Sequence, residues 1–192
     1  MTVKIGAVVL AGGRSARFGR DKLAEPIDGR PLLDHAIECV RSLADEIVVV
    51  LAPSDARALP SGVRTVHDPV AFEGPLAGLG AGLEALRSPI ALIVGGDMPS
   101  LRTSVLAALL ASRRDGDSVI AALRDGDRAR PLPIAVRVPD VAAAVDRLLE
   151  RGERRLGAVL DELPTTVIEE SVWRALDPAA ATLRDVDIPA DL

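Results

Sequence analysis

The sequence predicts an α/β fold, a doubly wound, largely parallel β-sheet flanked by helices. Two observations carry that expectation. Short runs of Val, Ile, Leu and Ala, without polar alternation, recur between longer segments of helical period, the pattern of strands buried on both faces. The first run is followed at once by a glycine-rich turn, and open α/β sheets use such turns to present backbone N–H groups to an anion.

The elements follow in order. 5-IGAVVLA-11 reads as a buried strand, and 31-PLLDHAIECVRSLA-44 as a helix with Pro31 in its first turn. 46-EIVVVLA-52 and 63-VRTVHD-68 read as strands, and 75-PLAGLGAGLEALRS-88 as a helix with glycines along one face. The strand 90-IALIVGG-96 and the helix 102-RTSVLAALLASRR-114 come next. The strands 118-SVIAAL-123 and 132-LPIAVRV-138 flank the turn 125-DGD-127. The helix 140-DVAAAVDRLLER-151 and a second near 154-RRLGAVLDEL-163 lead to a strand at 165-TTVIE-169 and a final edge strand at 183-LRDVDI-188. No repeat, low-complexity tract or Pro/Ser-rich linker divides the 192 residues, so one domain over 1–192 is expected.

Composition narrows the function. Phe18, Phe72 and Trp173 are the only aromatic residues and the net charge is −5, which disfavours a nucleic-acid binder that stacks bases on aromatic platforms. A single cysteine, Cys39, within a helical run, permits neither an intrachain disulfide nor a cysteine zinc cluster and reads as a core residue. Two histidines without an H-x-x-x-H pair offer no zinc site; His67 could line a site at its strand end. No run reaches membrane-spanning length and no signal-peptide pattern opens the chain, so a cytoplasmic protein without a membrane partner is expected.

The segment 10-LAGGRSARFGRDK-22 concentrates the chemistry. Gly12 and Gly13 let backbone N–H groups approach an anion, while Arg14, Arg17, Arg20 and Lys22 supply charge. It matches neither G-x-G-x-x-G nor the P-loop, since Arg20 and Asp21 separate Gly19 from Lys22. Lys4 and Lys22 are the only lysines among 23 basic residues, and a compact ammonium fits between phosphates where a guanidinium does not.

Further along, Gly74, Gly78, Gly80 and Gly82 admit two readings, a slot for a flat ligand or tight helix–sheet packing. In 94-VGGDMPSL-101, Asp97 lies just past a buried strand, at the edge where such sheets bind ligands. It reads as a turn or cap residue or as a Mg²⁺ ligand, and the parallel glycine loop favours the metal. Asp68, in 67-HDP-69, has the same two readings.

These segments resemble a known family. The 10–22 loop is similar to the signature loop of Rossmann-like nucleotidyltransferases, specifically the molybdenum cofactor guanylyltransferases. The likeness continues through 29-GRPLLDH-35, 73-EGPLAGL-79, 95-GGDMP-99, 128-RARPLPIAVR-137, 153-ERRLGAVLDEL-163 and 185-DVDIPADL-192. It implies transfer of GMP from GTP to the phosphate of molybdopterin or molybdenum cofactor, the acceptor being deliverable by a carrier protein. It also implies a nucleotide-binding N-terminal half and an acceptor-binding C-terminal half. Carried over, Leu10, Ala11, Gly12, Gly13, Arg17, Lys22, Asp68, Gly74, Gly78 and Asp97 contact the nucleotide. Asp97 holds Mg²⁺ in this scheme, and Lys22, Arg17 and Asp97 carry the catalysis. The acceptor would lie near Arg130, Pro131, Arg154, Arg155 and Asp187. Where relatives commonly have Asn-Val-Asn, this chain has Asp185-Val186-Asp187, and Leu51 stands where an asparagine is common. The alternatives are a relative using CTP or another phosphorylated acceptor, and a catalytically silent nucleotide-binding protein.

Overall fold

The computed structural model describes residues 3–13, 18–68, 74–115 and 117–191. Its strands are β1 (Ile5–Ala11), β2 (Pro26–Ile27), β3 (Arg30–Pro31), β4 (Glu46–Leu51), β5 (Val63–His67), β6 (Ile90–Gly95), β7 (Ile120–Asp125), β8 (Arg128–Arg137) and β9 (Thr165–Ile168). Its helices are α1 (Leu32–Arg41), α2 (Pro75–Ala85), α3 (Thr103–Asp115), α4 (Val138–Glu150), α5 (Ala158–Glu162) and α6 (Glu170–Trp173). Seven strands form one sheet in the order β5-β4-β1-β6-β8-β7-β9, and β2 and β3 form a small hairpin beside it.

The sheet is largely parallel, as its apolar runs predict. β1 pairs parallel with β4 and β6, β4 with β5, and β7 with β9. β8 is antiparallel to both β6 and β7. The cause is local: only Gly126 and Asp127 separate β7 from β8, and Gly126 has φ +57°. A two-residue link makes a hairpin; a parallel crossover needs a dozen residues or more.

Strand alternation divides the core between the two faces. Ala7, Val9, Val49, Leu51, Leu92 and Val94 pack with α1, α3 and Trp173 on one side. Val8, Val48, Val50, Ala91, Ile93 and Ile134 pack under α2, α4 and α5 on the other. Leu51 is thereby a core side chain on the α1 face.

Three expectations need correction. The segment 183–188 forms no strand: a 3₁₀ turn covers Ala181–Leu183, and Val186 N then donates to Asp97 O at 2.9 Å. The helix expected at 154–163 shrinks to α5, because the amides of Arg154 and Arg155 are held by the Glu153 carboxylate before the helix begins. α2 stops at Ala85, ahead of Ser88-Pro89, where proline disfavours helix in the preceding residue. Among the described residues no helix is long and apolar enough to cross a membrane.

Candidate active site

β1 is followed in sequence by β4 and β5 on one side of it, and the chain then returns to place β6 on the other. That reversal opens a crevice at the carboxyl ends of β1 and β6, the usual ligand position in such sheets. A cavity of about 390 Å³ fills it, lined by Leu10, Gly12, Gly13, Val50, Asp68, Gly74, Pro75, Gly78, Gly95, Asp97 and Leu132. Seven of the residues named from sequence thus share one cavity: Leu10, Gly12, Gly13, Asp68, Gly74, Gly78 and Asp97. Ala11 is buried in the strand between them. Arg17 lies outside the described residues.

The glycines of α2 divide between helix packing and the cavity. A Cβ on Gly82 would sit 2.5 Å from Val8 Cγ1, and one on Gly80 would sit 3.2 Å from Val145 Cγ1, so these two permit helix packing. Gly78 instead faces the cavity, its absent Cβ 3.7 Å from Asp68 Oδ2 and 3.9 Å from Leu10 Cδ2. Gly74 has φ +100°, and a side chain there would meet Arg154 O at 2.8 Å. The amino end of α2, with Pro75 in its first turn, opens on the same cavity. Asp68 is buried, its amide donating to Leu51 O at 2.9 Å and its carboxylate lying beside Gly78 in the cavity.

Lys22 sits at the rim, in a 3₁₀ turn over Lys22–Ala24 that is capped by Asp21 Oδ1 accepting from Leu23 N at 3.1 Å. It is only 8% exposed. Its Nζ donates to Asp97 Oδ2 at 2.8 Å, to Val186 O at 2.8 Å and to Asp187 Oδ1 at 3.3 Å. Burial pulls the ammonium pKa down, but hydrogen bonds and charge from Asp97, and then Asp187, outweigh it and hold the value above that of an ordinary lysine. Gly95 gives Asp97 its room, since a Cβ there would lie 2.5 Å from Asp97 Oδ1.

The residues named for the acceptor are spread out. Arg130 lies on β8, 3.6 Å from Asp125, and Pro131 follows it. Arg154 O accepts from Leu76 N at 3.4 Å, and its residue lines a groove beside α2 and α4 together with His67. Arg155 pairs with Glu153 at 2.7 Å, and its hydrogen bonds, with the amides of Arg155 and Arg154, hold the Glu153 carboxyl down at about 2. Arg155 and Arg128 line a different cavity, of about 730 Å³. Asp187 joins the Lys22 cluster instead. His67 does not reach the 390 Å³ cavity; its Nε2 lies 3.0 Å from Asp55 O. Cys39 is half-buried with its thiol pKa pushed up by burial, in keeping with a packing role.

Sequence reasoning did not single out Val50, Pro75 or Leu132, which also line the cavity. Strand parity could have found the first: Val50 is two residues from Val48 and on the same face.

Comparison with known proteins identifies the family of the chain. The family model described as the MobA-like NTP transferase domain matches residues 7–167. A Chloroflexus aggregans protein named "probable molybdenum cofactor guanylyltransferase" is 34% identical over 98% of this chain and 91% of its own. A molybdenum cofactor guanylyltransferase of Burkholderia vietnamiensis is 34% identical, covering 88% of this chain and 87% of its own. The crystal structure of molybdopterin-guanine dinucleotide biosynthesis protein A from Archaeoglobus fulgidus superposes with a TM-score of 0.81 at 20% identity, over 97% of this chain and 94% of that one, a likeness of fold. With the family model spanning most of the sequence and named relatives matched along nearly their whole length, this chain belongs to the MobA-like NTP transferases, among the molybdenum cofactor guanylyltransferases.

Proposed function

We propose that the protein transfers GMP from GTP to the terminal phosphate of molybdopterin or molybdenum cofactor and releases pyrophosphate. The observation that carries this reading is the placement of the Lys22, Asp97 and Asp187 cluster at the rim of a glycine-lined cavity on the ligand edge of the sheet. An oxygen of the acceptor phosphate attacks the α-phosphorus of GTP in line, the new P–O bond forms, and the bond to the pyrophosphate oxygen breaks. A phosphate monoester is already largely ionised at neutral pH, so no side chain need take a proton. The protein's work is positioning and charge neutralisation.

Gly12 and Gly13 present backbone N–H groups to the phosphates, and Lys22 supplies a compact cation to them. Asp68 contacts the nucleoside, and Gly78 keeps a flat slot open for the base. Guanine offers a donor edge, N1–H and N2–H₂, that acceptors in the slot can select over cytosine and adenine. Asp97 and Asp187 fit a hard divalent cation. Their carboxylate oxygens, with Val186 O, already converge on one cationic atom, Lys22 Nζ, and hard cations take such oxygen donors. Bound there, Mg²⁺ would supply electrostatic stabilisation of negative charge on the phosphate oxygens.

The acceptor would lie along β8. Leu132 lines the nucleotide cavity and Arg128 lines the cavity shared with Arg155, so β8 runs from one to the other. The segment after α4 makes a second wall, since Arg154 abuts Gly74 while Arg155 lines that same cavity. One domain with a nucleotide half and an acceptor half accounts for both.

The deciding experiment incubates the purified chain with GTP, CTP or ATP, Mg²⁺ and carrier-bound molybdopterin, and measures dinucleotide and pyrophosphate. Guanine dinucleotide in clear excess is expected. Equal product from CTP moves the chain to another nucleotide class, and GTP binding without pyrophosphate release makes it a silent binder.

A further inference from the structure

Between β4 and β5 lies the connection 52–62, which contains no helix or strand. It is longer than the roughly four- to six-residue connections common in compact domains. Arg57 lies at its middle with only 20% of its side chain exposed. Its amide donates to Asp55 Oδ1 at 3.0 Å, and its Nε to Asp55 Oδ2 at 2.8 Å. Asp55 is itself tied to the end of β4 through its amide, which donates to Ala52 O at 3.0 Å. His67, the last residue of β5, holds it from the other side through Nε2, 3.0 Å from Asp55 O. A carbonyl only accepts, so Nε2 carries the proton. Arg57 is therefore anchored to the ends of two neighbouring strands.

The guanidinium also reaches the glycine loop, through an Nη2 that it shares with Asp55 Oδ2. Arg57 Nη2 donates to Asp21 Oδ2 at 3.0 Å, a contact between residues 36 apart in sequence. Asp21 uses its other oxygen to cap the turn that carries Lys22. One carboxylate thus links Arg57 to the backbone of the residues around Lys22. We infer that Arg57 is a positioning residue for Lys22, acting through Asp21 to hold the Lys22 turn against the Asp97 and Asp187 carboxylates. The inference rests on the proposed phosphate role of Lys22, but the geometry it describes is testable without turnover. An exposed ion pair contributes little, whereas a mostly buried guanidinium bridging carboxylates of two loops fixes their separation. Lysine in its place would reach one carboxylate at a time, because it lacks the planar fork.

The full-length variants Arg57→Gln, Arg57→Lys, Asp21→Asn and the double variant Arg57→Gln/Asp21→Asn test this. Lys4 and Lys22 are the only lysines, so amine labelling read by mass spectrometry carries its own internal control. Labelling of Lys22 relative to Lys4 should rise about tenfold in Arg57→Gln, with kcat for dinucleotide formation falling on the order of 10- to 100-fold and the KM for GTP changing less than about threefold. Arg57→Lys should recover part of both, and the double variant should be no worse than the poorer single one, because both remove one link. Should Arg57→Gln fail to fold, Asp21→Asn breaks the same link from a side chain that is 51% exposed. Unchanged Lys22 labelling in the folded variants, or losses that multiply in the double variant, overturns the inference. A wild-type chain that makes no dinucleotide, with labelling that still responds to Arg57, overturns the functional reading alone.

Discussion

Lys22 Nζ and Asp97 Oδ2 are 2.8 Å apart, so the loop cation and the strand-end carboxylate hold each other directly. Sequence reasoning gives them different partners, a phosphate for one and a metal for the other. Both assignments can hold only if the ammonium leaves its socket when the metal arrives. Val186 O and Asp187 Oδ1 also accept from the ammonium, at 2.8 and 3.3 Å, and these are oxygens a divalent cation would take. On the proposed reading, ammonium and metal would therefore compete for one site, and triphosphate would give the displaced lysine somewhere to go.

Lys22→Met should accordingly bind Mn²⁺ more tightly than wild type when no nucleotide is present, by about tenfold, while losing turnover. Paramagnetic resonance of free Mn²⁺ reads the affinity. Weaker or unchanged binding by the variant would mean that Lys22 does not occupy the metal position.

Asp97→Ala should abolish turnover with the fold retained, because it removes a partly exposed side chain beyond the end of β6. Gly95→Ala offers a subtler probe of the same group. Its new methyl would lie 2.5 Å from Asp97 Oδ1 and 3.1 Å from Met98 Cγ, so the carboxylate must swing away from its present direction. A loss of kcat on the order of 100-fold with a cost of about 1–3 kcal/mol in stability is expected. Kinetics beside thermal unfolding measure both; full activity in Gly95→Ala would show that the present carboxylate direction is not the working one.

The parts of this fold that were legible are those where one residue type has one physical use. β1, β4 and β6 are unbroken apolar runs because they are buried on both faces, and the strand-end rule then locates Gly12, Gly13, Asp68 and Asp97 beside one another. The segment 183–188 looks like an edge strand by its Leu183, Val186 and Ile188, but Val186 spends its amide on Asp97 and its carbonyl on Lys22. The Lys22–Asp187 pair joins residues 165 apart, and periodicity carries no information about which way an irregular segment aims its side chains. The acceptor arginines rest on the family resemblance, which says nothing of their local partners, and Arg155 and Arg130 are each engaged by a nearby carboxylate.

Acid should act on the chain through Glu46, at the start of β4. Its Oε1 accepts from Ser88 Oγ and Ser88 N at 2.7 Å and from Arg87 N at 2.9 Å, while Oε2 accepts from Arg64. Burial raises the carboxyl pKa, but the Ser88 hydroxyl, the two amides and the Arg64 guanidinium outweigh it, leaving a net shift below the ordinary 4.5. A depressed folded pKa means that this stabilisation is complete above the unfolded value near 4.5 and is lost as the pH falls through the folded value. Glu46→Gln should cost about 1–2 kcal/mol at neutral pH, the gap to wild type closing below that point. Urea unfolding across pH 3 to 7 checks it, and a constant gap at every pH would assign the loss to packing.

Two glycines one turn apart on α2 should respond in opposite ways to the same added methyl. At Gly82 the methyl would stand 2.5 Å from Val8 Cγ1 and 3.0 Å from Val50 Cγ2, both branched side chains fixed in the sheet. Gly82→Ala should destabilise by about 1–3 kcal/mol as the helix is pushed off the strands. At Gly78 the nearest atoms are 3.6 to 3.9 Å away, ordinary contacts. Gly78→Ala should therefore gain up to about 1 kcal/mol from helix propensity. That methyl, however, enters the 390 Å³ cavity beside Asp68 and Leu10, where the base is proposed to lie. The KM for GTP should rise by about three- to tenfold, with kcat changed less, since the obstruction is felt on binding and in the transition state alike. Thermal unfolding and steady-state kinetics of the pair separate the two uses of glycine in one helix. A Gly78→Ala enzyme that is more stable and has an unchanged KM would place the base elsewhere in the cavity.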